Sequence, residues 1–344
     1  MAPDPRGARP VDLGAAMALA LEQGLAACGI STPNPPVGAV VLDGDGVVVG
    51  AGHTQPVGGP HAEVMALRQA GTAARGGTAV VTLEPCDHVG RTGPCTGALL
   101  DAGVARVVYA ADDPDPVAGG GARTLRAAGV DVVAGESADA ATAGALAGWL
   151  HRRRTGRPRV TAKIAATLDG RVAAPDGTSR WITGPVAREH VHAERARIDA
   201  IVVGTGTVRV DDPELTARHA DGTLRHRQPR RIVLGRGGIP DDARLRGAGD
   251  PPVEVLSHDP HDVLAAAGDA LDVLVEGGPT VLGAFFAAGL VDRVRVYLAP
   301  TVLGAGRAAV DDVTVGTLTD AHRMRRESVL ELGDDILITL VATR

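Results

Sequence analysis

Two rhythms of apolar residues run along the chain. Short Val-, Ile- and Leu-rich runs bounded by Gly, Pro or Asp have the length and composition of strands, while longer stretches spaced by three or four residues read as helices. Leu13 to Ala27 predicts a first helix. The run VGAVVLDGDGVVVGAG follows, and its Asp43-Gly44-Asp45-Gly46 centre predicts a hairpin. His61 to Ala70 predicts a helix, Thr78 to Cys86 a strand ending in a loop, and Cys95 to Ala102 another helix. ARVVYAA and VDVVAG are strands on either side of a helical stretch at Thr124 to Ala128, and Ala138 to Leu150 predicts a closing helix.

The pattern then stops and restarts. HRRRTGRPR, His151 to Arg159, is basic, contains Gly156 and Pro158, and offers no apolar face to bury, so it reads as a helix end and linker. Beyond it, RVTAKIAATLDG, DAIVVG, RRIVLG, VEVLS, LDVLVEGG and DRVRVYLAP are strand candidates, with helices at Pro185 to Arg197 and Pro279 to Ala288. RESVLELGDDILITLVA predicts a terminal strand pair around Gly333-Asp334-Asp335, an antiparallel edge on a mainly parallel sheet. The expectation is therefore two different α/β domains, 1–150 and 159–344, joined by a basic linker at 151–158.

Composition narrows the function. The chain has 344 residues, with 44% hydrophobic and 22% charged residues, so it is globular and of two-domain length. Two Phe, two Tyr and two Trp are too few for repeated base stacking, and a formal charge of −6 disfavours a polyanion binder, so nucleic acid is not expected as a partner. Charged residues or His interrupt every long apolar run before 18 residues, so neither a membrane span nor membrane association is expected, and a cytoplasmic protein is. Three cysteines do not make a disulfide framework.

Two of those cysteines have another use. His61-Ala62-Glu63 is followed by Pro85-Cys86 and then Cys95. One imidazole and two thiolates can hold Zn²⁺ and leave its fourth position for water, and Glu63 is spaced to exchange protons without ligating. Zinc deaminases carry this H-x-E and P-C pattern with two residues between the cysteines, whereas eight intervene here. Read without further context, a structural zinc, or two buried cysteines and a capping histidine, would be the competing explanations.

The segments TPNPPVGAVVL and PHAEVMALRQAG…GTAVVTLEPCDHVGRTGPCTGALLDAGVARVVYAADDPDP resemble the deaminase domain of the bifunctional riboflavin-biosynthesis deaminase–reductases, a branch of the cytidine-deaminase-like superfamily that uses the long cysteine spacing. The resemblance implies one zinc on His61, Cys86 and Cys95, with Glu63 as proton shuttle. It implies hydrolytic deamination of 2,5-diamino-6-(5-phosphoribosylamino)pyrimidin-4(3H)-one. Asn34 would orient the pyrimidine or serve only as a turn residue; His88 or Arg91 would hold the 5′-phosphate or brace the loop. Gly93-Pro94 stands where the family usually has two prolines.

KIAATLDGRVA, SRWITG, GTGTVRVDDPELTAR, EGGPTVLGAFFAAGLVDRVRVYLAP and LGAG resemble the reductase domain of the same family, whose fold is related to dihydrofolate reductase. That implies NADPH across Ala165, Trp181, Thr207, Asp211 and the loop Gly278, Pro279, Thr280, Val281, Leu282, Gly283 and Ala284. It implies the sugar-phosphate substrate at Ser179, Arg195, Leu215, Arg218 and Glu276, and reduction of the ribosyl chain to its ribityl form. Lys163 is a candidate to supply positive charge, Asp211 to relay a proton or fix the nicotinamide amide, and Asp169 to hold the turn at Gly170. Arg236 is a candidate for the extra phosphate of NADPH, and Phe285 and Phe286 read as core. A homo-oligomer, dimer or higher, is implied. The alternative is a single-function zinc nucleotide deaminase with a non-catalytic, nucleotide-binding second domain.

Overall fold

The computed structural model describes residues 9–90, 93–247 and 249–343. The chain divides into two compact units between Gly156 and Arg157.

Unit 1 contains α1 (Leu13–Ala27), β1 (Gly38–Leu42), β2 (Val48–His53), α2 (Ala62–Ala70), β3 (Thr78–Leu83), α3 (Cys95–Ala102), β4 (Arg106–Ala111), α4 (Gly121–Ala127), β5 (Asp131–Ala134), α5 (Ala138–Ala143) and α6 (Ala147–Thr155). The sheet runs β2-β1-β3-β4-β5, with β1 antiparallel to β2 and β3 and the last three strands parallel. The hairpin between β1 and β2 closes on Asp43, whose Oδ1 accepts from the N–H groups of Asp45 and Val47 at 3.0 Å each.

Helices cover both faces. A Cβ on Gly38 would stand 1.9 Å from the Ala20 carbonyl of α1, and one on Gly50 would stand 2.1 Å from the Ala66 carbonyl of α2. Gly50 pairs with Val41, three positions from Gly38 on β1, so the two contacts lie on opposite faces of the pleat. Each helix thus rests backbone against backbone on the sheet, which only glycine permits.

The division falls within the expected linker, but the helix before it differs from expectation. The single helix predicted for Ala138 to Leu150 breaks at Gly144, whose ψ of −124° leaves the helical region. Its second part, α6, runs through His151–Thr155, and His151 is buried. Arg152, Arg153 and Arg154 occupy its last turn, where exposed carbonyls favour cations, and Gly156 ends it at φ +75°. Most of the expected linker is therefore helix.

Unit 2 contains β6 (Arg159–Thr167), β7 (Arg171–Ala173), α7 (Pro185–Arg195), β8 (Ala200–Gly204), α8 (Thr205–Asp211), β9 (Arg230–Leu234), β10 (Val253–Val255), α9 (Pro260–Ala267), β11 (Asp272–Val275), α10 (Pro279–Ala287), β12 (Arg293–Ala299), β13 (Arg307–Ala308), β14 (Met324–Leu332) and β15 (Asp335–Ala342). Eight strands order as β10-β9-β8-β11-β6-β12-β15-β14. The first six are parallel, and β15 and β14 form the antiparallel edge that the terminal pattern predicts. Val160, Val202, Ile232, Val273 and Phe285 lie in one fully buried cluster. The helix α8 is new, since its Gly-Thr-Gly-Thr sequence reads as a turn.

Because each unit completes its own sheet and core, residues 1–156 and 157–344 expressed separately should each fold. Circular dichroism melts of the two fragments test this: a cooperative transition is expected from both, and a featureless melt from either contradicts it.

Candidate active sites

In unit 1, three elements converge on one point. His61 caps the N-terminus of α2 in extended conformation without a side-chain capping bond, so its ring is free to face elsewhere. Its Nδ1 lies 3.5 Å from Cys86 Sγ and 3.3 Å from Cys95 Sγ. Tetrahedral zinc, with bonds of about 2.05 Å to nitrogen and about 2.3 Å to sulfur, separates the two donors by about 3.6 Å. Both nitrogen-to-sulfur distances match that spacing. Cys86 follows β3, and Cys95 opens α3. Cys95 donates its backbone N–H to Cys86 Sγ at 3.4 Å.

The cluster has a definite charge order. Hydrogen bonding from Cys95 brings the Cys86 thiol down to about 4 against the effect of burial, with His61 adding to the shift. Cys95 is pushed up, because it donates to Cys86 and is buried. His61 is raised, chiefly by its hydrogen bond to Cys86. Glu63, in the first turn of α2 and 5% exposed, is raised to about 7 by burial and then by the Cys86 charge. A cation among the three ligands would draw Glu63 down again. Beside them opens a cavity of about 360 Å³, lined among others by Asn34, Glu63, His88 and Trp149.

In unit 2, charged side chains gather around the end of β11. Glu276 directly follows β11, and both its oxygens accept from Arg195, Nε and Nη2 each at 2.8 Å. Lys163 Nζ of β6 lies 3.6 Å from Glu276. Burial pushes the Glu276 carboxyl up, but the charges of Arg195 and Lys163 outweigh it and hold it at about 2. Arg195 Nη1 also donates to the Thr216 carbonyl at 3.1 Å.

The two glycine-rich turns meet next to this group. A Cβ on Gly277 would stand 2.6 Å from Val281 Cβ, and one on Gly204 2.7 Å from Val281 Cγ2, so α10 is seated against the end of β8. At Gly278, the N-cap of α10, a Cβ would meet only Thr207 Oγ1 at 3.8 Å. That space lies in front of the unpaired N–H groups of a helix start.

Family models match both halves of the chain, the cytidine and deoxycytidylate deaminase zinc-binding region at residues 12–111 and the RibD C-terminal domain at 158–338. The riboflavin biosynthesis protein RibD of Mycobacterium tuberculosis is 51% identical over 95% of this chain and 96% of its own length. That of Escherichia coli is 39% identical over 90% and 94%. The solved Acinetobacter baumannii RibD superposes with a TM-score of 0.82 at 36% identity, covering 96% of this chain and 99% of that one. The chain belongs to the RibD family. It is a bifunctional enzyme of riboflavin biosynthesis, with a zinc-binding deaminase domain followed by a reductase domain.

Against the residues that RibD membership implies, the structure sorts as follows. His61, Glu63, Cys86, Asn34 and His88 border one cavity, and Cys95 completes the donor group. His88 Nδ1 is buried with no hydrogen-bond partner among the described residues. Arg91 lies outside the described residues. Lys163, Arg195 and Glu276 come together, but three of the five N–H groups of Arg195 are already committed, which leaves two for a phosphate. Arg218 is likewise engaged by Glu214, Thr216 and the Gly222 carbonyl. Leu215 has φ +56° and a buried side chain, so only its backbone can face a ligand. Ser179 is half-buried, Ala165 lies on β6, and Trp181 is exposed under the Arg188 guanidinium at 4.6 Å. Asp211 ends α8, its carbonyl bonded to Arg180.

Within the loop Gly278 to Ala284, which the resemblance gives to NADPH, Leu282 is buried and Gly283 lies against the Asp311 carbonyl; Phe285, just beyond it, is core. Pro279 has no N–H, which leaves Thr280 and Val281 as first-turn donors. Asp169 does hold its turn: it accepts from Thr167 Oγ1, Leu303 N and Gly304 N, which lowers its carboxyl to about 2. Two features escaped sequence reasoning. Trp149, from the closing helix, walls the deaminase cavity, and Glu84 accepts the backbone N–H groups of Gly120 and Ala122 at the start of α4. The LEPCD segment contained Glu84, but nothing local distinguishes a helix-capping carboxylate from a solvent-facing one.

Glu276 gives an acid-sensitivity prediction. Its carboxyl sits below the ordinary 4.5 in the folded chain, so its stabilising effect is complete above about 4.5 and is lost as pH falls through about 2. Glu276→Gln should flatten that acid response and, by leaving Arg195 uncompensated, cost about 3–5 kcal/mol at neutral pH. Hydrogen-exchange protection of β11 and β6 amides reports both effects; equal pH dependence in parent and variant contradicts the assignment. Gly277→Val should cost about 1–3 kcal/mol through its clash with Val281, read as a lower thermal midpoint.

Proposed function

We propose that unit 1 deaminates 2,5-diamino-6-(5-phosphoribosylamino)pyrimidin-4(3H)-one with one zinc on His61, Cys86 and Cys95, and that unit 2 reduces the ribosyl chain of the product with NADPH. The observation that carries the first half is the convergence of His61 Nδ1 on both sulfurs beside a buried Glu63. Zinc bound there supplies a Lewis acid that brings the pKa of a water molecule toward neutrality. Glu63 takes the proton of the attacking water on its carboxylate and hands it to the departing amine, acting first as general base and then as general acid. Asn34 and His88 border the space where the pyrimidine and its sugar phosphate would lie. The Thermotoga maritima structure titled diaminohydroxyphosphoribosylaminopyrimidine deaminase/5-amino-6-(5-phosphoribosylamino)uracil reductase, 32% identical with a TM-score of 0.82, supports this substrate class.

For the reductase, NADPH supplies the hydride, and the open space at Gly278 in front of the α10 N-terminus fits a cofactor phosphate. Lys163, 3.6 Å from Glu276, keeps one ammonium at the middle of β6, level with the end of β11 and two positions before Ala165. There it stabilises negative charge developing on the substrate as its sugar ring opens and is reduced. Arg195 orients Glu276, and Arg218 stands at the sugar-phosphate side. Arg236, exposed after β9, is the basic residue assigned to the extra phosphate of NADPH.

Incubation with the diaminopyrimidine phosphate should release ammonia without cofactor, and added NADPH should then be oxidised. Ammonia release with no NADPH oxidation would favour the single-function deaminase. Glu63→Gln should keep zinc and reductase activity yet lose deamination by about 10⁴-fold, the upper end for general acid–base groups; continued ammonia release at the parent rate excludes Glu63 as shuttle. Gly278→Val has space to fold, so it should weaken NADPH binding selectively. Arg218→Ala should instead weaken substrate, by about 10- to 100-fold. Separate titrations distinguish the two, and the reverse pattern would exchange the assigned loops.

A further inference from the structure

The two cysteine ligands stand on different elements, nine positions apart in sequence, and the donor spacing at the cluster depends on what ties those elements together. Cys86 lies in a loop with no strand or helix of its own, whereas Cys95 rides on α3. The next residue after each ligand makes the connection. Asp87 Oδ1 accepts from Thr96 Oγ1 at 2.7 Å, and its Oδ2 accepts from Thr124 Oγ1 of α4 at 2.6 Å. The backbone runs parallel to this bridge: Asp87 N–H donates to the Ala118 carbonyl at 3.0 Å, and Thr96 N–H donates to the Cys86 carbonyl at 3.3 Å. Against the other side of the loop, a Cβ on Gly121 would stand 1.9 Å from the Pro85 carbonyl, so α4 presses directly on the residue before Cys86.

We propose that Asp87 is a positioning residue for the metal: its carboxylate, bridging the hydroxyls of Thr96 and Thr124, fixes the Cys86 loop against α3 and α4 and so sets the separation of the two cysteine ligands. The inference rests on the zinc reading above. Both Asp87 oxygens are occupied by hydroxyl donors, and Asp87 is outside the His61, Cys86 and Cys95 donor group, so it acts through the cysteines and not as a fourth ligand. An ionised carboxylate is suited to this place, since it accepts two hydrogen bonds at once from neutral donors and needs no proton of its own. Thr124 belongs to a helix that contributes no metal ligand, which extends the support of the site to α4.

Zinc affinity of the full-length protein, measured by competition with a chromophoric chelator, tests the proposal. Asp87→Ala should bind zinc about 10- to 100-fold more weakly, the usual effect of losing an outer support of a metal site. Thr124→Val, which removes one hydroxyl and keeps the shape, should lose about fivefold, the worth of one ordinary hydrogen bond. Asp87→Asn should fall between parent and Asp87→Ala, because its amide can accept from one threonine and donate to the other. NADPH oxidation with the deaminated substrate should remain at the parent rate in all three. A fold brace alone would lower the thermal midpoint of the metal-free protein and leave zinc affinity unchanged, and that result overturns the proposal. If Asp87→Ala does not fold, parent-like zinc affinity in Thr124→Val overturns it equally. A parent protein that binds no zinc overturns the reading beneath it, a failure distinct from zinc-binding variants that match a zinc-binding parent.

Discussion

The deaminase site depends on how closely α2 lies on the sheet. Gly50 and Gly52 leave no side chain beneath that helix, and Cβ atoms there would enter the backbone at Ala66 and Ala62. Larger residues would lift α2 away and carry His61, its capping residue, with it. Donor spacings of 3.3 and 3.5 Å tolerate little such movement, since a zinc ion accepts only narrow bond lengths. Glu63, in the first turn of the same helix, is buried. The position of His61 thus depends on one backbone approach.

Two buried glutamates show what surroundings do to one chemical group. Glu63 has burial and a neighbouring thiolate against its charge, and its carboxyl rises to about 7. Glu276 is just as enclosed, but two cations face it, and its carboxyl falls to about 2. The latter is a permanent anion that holds Arg195 and Lys163 in place, a structural charge at the centre of a binding region.

The two units reach their sites by different routes. In unit 1 the ligands come from one helix cap, one loop and one helix start, so the connections between elements must be rigid. Asp87, Glu84 and Gly121 supply that rigidity through hydrogen bonds and close packing around α4. In unit 2 Glu276 follows the end of β11, Lys163 stands level with it on the neighbouring parallel strand β6, and Arg195 reaches both from the end of α7. There the glycines serve to seat α10 against β8.

Much of this was legible along the chain. Periodicity predicted α1, α3 and the antiparallel edge of the second sheet, since those signals depend only on which residues must be buried at which spacing. The grouping of His61, Cys86 and Cys95 was legible because metal chemistry restricts the ligand types and leaves a pattern in the letters. Arg195 and Arg218 were read as phosphate arginines from their family positions; their engagement with Glu276 and Glu214 depends on which side chains meet across 81 and 4 positions of sequence. Trp149 on the cavity wall, the extension of α6 through the basic run and the Asp87 bridge to Thr124 have the same origin. A sequence pattern determines the local conformation and the chemistry available, but the pairing of two polar groups is decided when packed elements leave each of them only one partner within reach.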